Sequence, residues 1–154
     1  MVPLVGNYLK LLVEGRGHRY AIASVSSSKT TTWVEGAKLE ELLEKHDPDL
    51  VLISLGSNEL FEQELDPIAE AIRTIIARLR GRACLWVGPP AWAKDRGFIA
   101  TLKQNLGACR YLDSVALDLP RAEDGRHPTW SAGYRWTTAV WQALGGKEPV
   151  PTGN

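Results

Sequence analysis

At 154 residues the chain is the size of one domain and long enough to bury a core. Eighteen Lys and Arg balance eighteen Asp and Glu, which argues against a nucleic-acid binder working through bulk positive charge. A hydrophobic fraction of 44% with 23% charged residues excludes disorder as the main state, and no apolar run approaches the roughly 20 residues of a membrane helix.

Leu4 to Val13 carries apolar residues at helical spacing and stops at Gly15 and Gly17. Arg19 to Val25 reads as a strand through Tyr20, Ile22 and Val25. The polar run Ser26 to Thr32 follows, and Trp33 to Lys45 reads as a helix broken by Asp47-Pro48. Leu50 to Leu55 is a continuous apolar run, as in a parallel strand buried on both faces. Asp66-Pro67 is a helix start with the aspartate as cap, and Ile68, Ile72, Ile75, Ile76 and Leu79 form its apolar stripe up to Gly81. Ala83 to Val87 is a further buried strand, stopped by Gly88-Pro89-Pro90. Phe98 to Leu106 reads as a short helix and Cys109 to Leu112 as a short strand. A long loop spans Asp113 to Pro128, and Ser131 is expected to cap a last helix running to Leu144. The Gly- and Pro-containing stretch 145–154 reads as a flexible tail behind a single domain over 1–144.

Alternating helices and strands with short links predict an α/β fold with a parallel sheet wrapped by helices. Ligands in such sheets bind beyond the carboxyl ends of the strands. Two segments there carry candidate chemistry. In Gly56-Ser57-Asn58-Glu59 the glycine permits a sharp turn, and Asn58 presents an amide donor suited to a developing oxyanion. In Asp124-Gly125-Arg126-His127-Pro128 the histidine suits general-base work, and the aspartate three residues earlier can fix its tautomer. Each also has a plain reading, as a strand-to-loop turn and as a surface loop histidine. His18 and His46 read as solvated.

Together these segments resemble the SGNH (GDSL-type) hydrolases. The stretch DLVLISLGSNE is similar to that family's strand and GxND block, with Gly56 and Asn58 matching and Glu59 in place of the aspartate. DGRHPTWSAGYRW is similar to its DxxH block, with Asp124 and His127 at the catalytic acid and base. SVSSSKTTTW resembles the block in which a glycine N–H serves the oxyanion hole, a place taken here by Ser26 or Ser27. The resemblance implies a three-layer α/β/α, flavodoxin-like parallel sheet. It implies hydrolysis of a carboxylic ester, acetylated carbohydrate or lipid-like, with an oxyanion hole of Asn58, Ser27 and Gly56.

The family's nucleophile lies in a GDS motif after its first strand, and no such motif occurs here. The preferred alignment matches Asn7 to Arg19 to the family's first helix, so the first strand and its serine fall before Met1. A second alignment reads Leu4 to Tyr8 as a degenerate strand and GDS motif, with Tyr8 in place of the serine. A shortened reading frame of a hydrolase and a diverged member without a nucleophile are both open. A third idea makes Ser26, Ser27 or Ser28 a substitute nucleophile, against the plain reading of a turn that caps the following helix.

The alternative function, from a different class, is a non-catalytic binding module that keeps a sugar or acyl pocket. Among six tryptophans, Trp92 and Trp130 fall on loops at the expected active edge and are candidates to stack on substrate, although core packing is the commoner role. Glu62, Glu64 and Asp66 read as a solvated acidic loop rather than a cation site. Cys84 and Cys109 are too few for a disulfide framework, lack metal-ligand spacing and read as small buried hydrophobes. The expected partner is a small-molecule ester, with no cofactor, metal, nucleic acid or membrane. No leader pattern follows Met1, which makes a cytoplasmic location the default expectation.

Overall fold

The computed structural model describes residues 2–147, with side chains from residue 5 onward. The described residues divide into two compact units, one spanning Ser26–Asp113 and one built from residues 2–25 together with 114–147. Residues 148–154, where most of the expected tail falls, lie outside the described residues.

The first unit has the α/β alternation. A 3-10 turn at Thr31–Trp33 precedes helix α2 (Lys38–His46), strand β1 (Leu50–Ile53), helix α3 (Asp66–Arg78), strand β2 (Ala83–Val87), helix α4 (Phe98–Asn105) and strand β3 (Arg110–Leu112). The strands form a parallel sheet in the order β1-β2-β3, with Leu50 opposite Ala83 and Leu85 opposite Arg110. Parallel neighbours need a crossover, which α3 and α4 supply. Ile68, Ile72 and Ile75 of α3 meet Trp86, Phe98 and Leu102 in one core cluster. Each such side chain contributes about 1.5–3 kcal/mol when fully buried. Cys84 to Val87 are all buried, so β2 is covered on both faces. β1 is not: only Ile53 is buried and Leu50 is 37% exposed. Among the described residues β1 pairs only with β2, so it is an edge strand and the expectation of burial on both faces is corrected.

Three further expectations in this unit change. The helix predicted from Trp33 starts only at Lys38, because Gly36 turns the chain at φ 73°. Asp66 lies inside α3 rather than capping it, and the cap position is Leu65. Cys84 and Cys109 are joined in a disulfide, with Cα atoms 5.0 Å apart. Their pairing follows from the β2–β3 register, in which Leu85 and Arg110 are partners and the preceding residues face each other.

The second unit pairs helix α1 (Val2–Glu14) with helix α5 (Trp130–Ala143). The rings of Tyr8 and Tyr134 stack at 4.3 Å, and the Tyr8 hydroxyl donates to that of Tyr134 at 2.5 Å. Trp136 donates to Ser114 Oγ at 2.9 Å, and the Arg16 guanidinium lies 4.5 Å over the Trp141 ring. Gly6, Asn7 and Tyr8 lie within the continuous α1, so the alternative strand-and-motif reading of this stretch does not describe the chain. Arg19 to Val25 is not a strand: among the described residues it has no strand neighbour, and Ile22 closes against Gly6 of α1. A strand exists only where a partner takes its backbone groups, and its apolar pattern alone cannot supply one. Thr129, not Ser131, caps α5, its hydroxyl oxygen accepting the Ala132 N–H at 3.2 Å. No helix among the described residues is long and apolar enough to cross a membrane.

Candidate functional site

Residues 120–129 form a closed loop leading into α5. Arg121 and Pro128 make an antiparallel bridge, and the Ala122 and Thr129 N–H groups donate to the carbonyls of His127 (2.7 Å) and Pro120 (2.8 Å). Gly125 turns the tip at φ 66°. Asp124 sits inside this turn with every contact directed at its own loop. Its Oδ1 accepts the N–H groups of Arg126 and His127, each at 2.9 Å, and its Oδ2 lies 2.5 Å from His127 Nδ1. Short polar side chains favour such turns because they bond backbone two or three residues on. The bond to the imidazole, then the two backbone N–H groups, hold the Asp124 carboxyl well below the usual carboxylate range. An ionised carboxylate only accepts, so Nδ1 of a neutral imidazole must carry the proton and Nε2 the lone pair. The imidazole is 70% exposed, which leaves that lone pair open to a reactant.

The other predicted residues belong to the unit with the sheet. Gly56 follows β1 at φ 113°, buried, and a Cβ there would lie 2.4 Å from the Phe98 ring, so only glycine fits. Asn58 is exposed, and its Nδ2 donates to the Ser28 carbonyl at 3.0 Å. An amide nitrogen carries two hydrogens, and this bond uses one. Ser27 adopts φ 56°, the left-handed region that favours glycine. Ser28 Oγ accepts from Trp33 Nε1 at 3.2 Å. Ser26 and Ser27 are exposed. Asn58 and the serine run thus lie together in one unit, and Asp124 and His127 lie together in the other.

Of the two candidate tryptophans, Trp92 packs against the core cluster and edge-on to Phe61 at 5.4 Å, whereas Trp130 is 69% exposed at the start of α5. Glu62 of the acidic loop is ion-paired with Lys29. Among the described residues no three His, Cys, Asp or Glu side chains gather in a metal-binding group.

Sequence reasoning passed over Glu59 and Thr30. Both are buried, at 1% and 0% exposure. Glu59 Oε2 accepts the Thr30 N–H at 2.9 Å and Oε1 accepts the Thr30 hydroxyl at 2.5 Å. Burial pushes the Glu59 carboxyl up from its ordinary value, against the Thr30 bonds and Lys29, which pull it down. The one sequence signal was the glutamate standing where the GxND pattern has aspartate.

The chain is similar to Protein BcsX of Komagataeibacter xylinus, with 28% identity over 122 residues, covering 68% of this chain and 47% of that protein. It thus spans about half the length of the curated relative it matches. No family model and no solved structure matches it.

Proposed function

We propose that this chain is an SGNH-like domain, of three-layer flavodoxin-like type, that hydrolyses carboxylic esters with His127 as general base. The observation that carries this reading is the Asp124–His127 pair, in which a carboxylate fixed by two backbone N–H groups holds one ring nitrogen and leaves the other to a reactant. In that arrangement Nε2 takes the proton of an attacking hydroxyl as the oxygen bonds to the ester carbonyl. Asp124 stabilises the imidazolium that forms, and the imidazolium then returns the proton to the leaving alkoxide. The Asn58 amide and the Ser27 N–H are the donor types that an oxyanion requires. An apolar acyl or sugar face of the substrate suits the exposed Trp130 ring.

The test is hydrolysis of p-nitrophenyl acetate by the wild-type chain and by His127→Ala. Turnover that disappears in the variant supports the reading, and equal rates overturn it. An acyl-enzyme burst that vanishes when Ser26, Ser27 and Ser28 are replaced together by alanine assigns the hydroxyl to that run. Turnover that persists unchanged in that triple variant excludes the run as the source of the hydroxyl.

A second reading is a binding module without turnover. It is favoured by Ser28, whose Oγ already accepts the Trp33 indole N–H and so offers one lone pair fewer for attack. Retained binding of an acetylated oligosaccharide without hydrolysis decides for it.

A further inference from the structure

A buried carboxylate is costly to keep unless it is well paired, and an aliphatic side chain in its place is often no less stabilising. Glu59 is nonetheless almost fully buried, and both of its oxygens are spent on one residue, Thr30. The same two stretches of chain are tied twice more, by Asn58 Nδ2 on the Ser28 carbonyl and by Lys29 on Glu62. Glu59 is one residue from Asn58, and Thr30 is three residues from Ser27. The Glu59 turn is closed by its own N–H on the Gly56 carbonyl at 3.0 Å. Any slack between Glu59 and Thr30 therefore moves the Asn58 amide against the left-handed turn at Ser27.

We propose that Glu59 is a positioning residue: by gripping the Thr30 N–H and hydroxyl together, it sets the Asn58 amide and the Ser27 N–H as one preformed pair of donors for a developing oxyanion. This rests on the ester-hydrolase reading and adds to it a residue that touches no substrate. Glutamate reaches one methylene further than aspartate, which lets a carboxyl anchored beside Asn58 span to the backbone of the serine run. A donor displaced by about 1 Å loses on the order of 10²-fold in rate.

The experiment compares wild type with Glu59→Ala, Thr30→Val and Glu59→Gln in p-nitrophenyl acetate hydrolysis and in amide hydrogen exchange over residues 26–30. Thr30→Val removes only the hydroxyl and guards against an alanine variant that fails to fold. Glu59→Gln keeps an acceptor for the Thr30 N–H and a donor for its hydroxyl. The expected result is kcat lowered about 10- to 100-fold in Glu59→Ala and Thr30→Val with KM unchanged, faster exchange at 26–30, and near wild-type values of both in Glu59→Gln. Wild-type kcat in folded Thr30→Val, or an equal loss in Glu59→Gln, overturns the proposal. A wild-type chain without turnover overturns the hydrolase reading instead. The grip is then judged on exchange alone: faster exchange in Thr30→Val upholds it and unchanged exchange overturns it.

Discussion

Asp124 bonds His127 twice, once through the backbone N–H and once through the ring. Oδ1 takes the N–H at 2.9 Å and Oδ2 takes Nδ1 at 2.5 Å. The histidine is thus oriented from both its main chain and its side chain by a single residue three positions away. Because both bonds are local, the pair survives any rearrangement that leaves the loop 120–129 closed.

Replacing that carboxylate by an amide, Asp124→Asn, keeps the shape of the turn but permits the amide to donate to Nδ1. The proton then moves to Nε2 and the base is lost. On the proposed hydrolase reading, ester hydrolysis falls by about 10²- to 10⁴-fold, and the unfolding midpoint at neutral pH falls only slightly, because solvent screens the exposed carboxylate. Steady-state kinetics beside a urea melt checks both halves.

Two carboxyls give stability opposite slopes with pH. The folded value of Asp124 is lowered, so its contribution is present above the ordinary 3.8 and is lost as pH falls, because the unfolded chain then binds the extra proton. The folded value of Glu59 is raised, so its contribution is present below the ordinary 4.5 and is lost as pH rises through the folded value, where the native chain must give up a proton it holds. Urea midpoints measured across the acid range flatten on the low side in Asp124→Asn and on the high side in Glu59→Gln. Solvent screens the exposed Asp124, so its limb is the shallower one and shrinks further with salt.

Ser27 occupies left-handed backbone at φ 56° with a side chain that this region disfavours. Ser27→Gly removes the Cβ conflict, offset in part by a more flexible unfolded chain, and raises stability by up to about 1 kcal/mol. A gain in chemical-denaturation midpoint checks it. Ser27→Val lowers the midpoint, since a β-branched residue tolerates that region least.

The Cys84–Cys109 bond closes a loop of 25 residues. Chain entropy assigns such a closure about 3.5 kcal/mol, so Cys84→Ala with Cys109→Ala, or reduction of the wild type, lowers the unfolding free energy by about that amount. Thiol titration of the denatured, unreduced chain finds no free sulfhydryl.

Gly56→Ala sets a methyl 2.4 Å from the Phe98 ring at a φ of 113°. Overpacking and backbone strain act together there, and the expected loss is more than about 2 kcal/mol. Phe98→Leu in the same chain recovers part of it, which a double-mutant cycle reads out.

What could be read in advance follows from the range of the interactions. α3, β2 and α4 announce themselves through periodicity and through Pro67, Gly81 and Gly88, all local signals. The Asp124–His127 pair was legible because its partners lie three residues apart. The grip of Glu59 on Thr30 joins residues 29 apart and was invisible, as was the disulfide, which needs the register of two strands before its cysteines meet. The segment 19–25 misled because its apolar alternation matches a strand, while strand formation is decided by a neighbour the segment does not have.

The chain leaves the sheet through β3, a strand of three residues, and enters the other unit one residue after Asp113. Tension pulled along the backbone from Ser114 would meet only a few backbone bonds before reaching Cys109, where the sulfur link anchors it to β2. Mechanical unravelling from that end should therefore stall after a handful of residues, and stretching the oxidised and reduced chains should give contour gains that differ by the length of the locked loop.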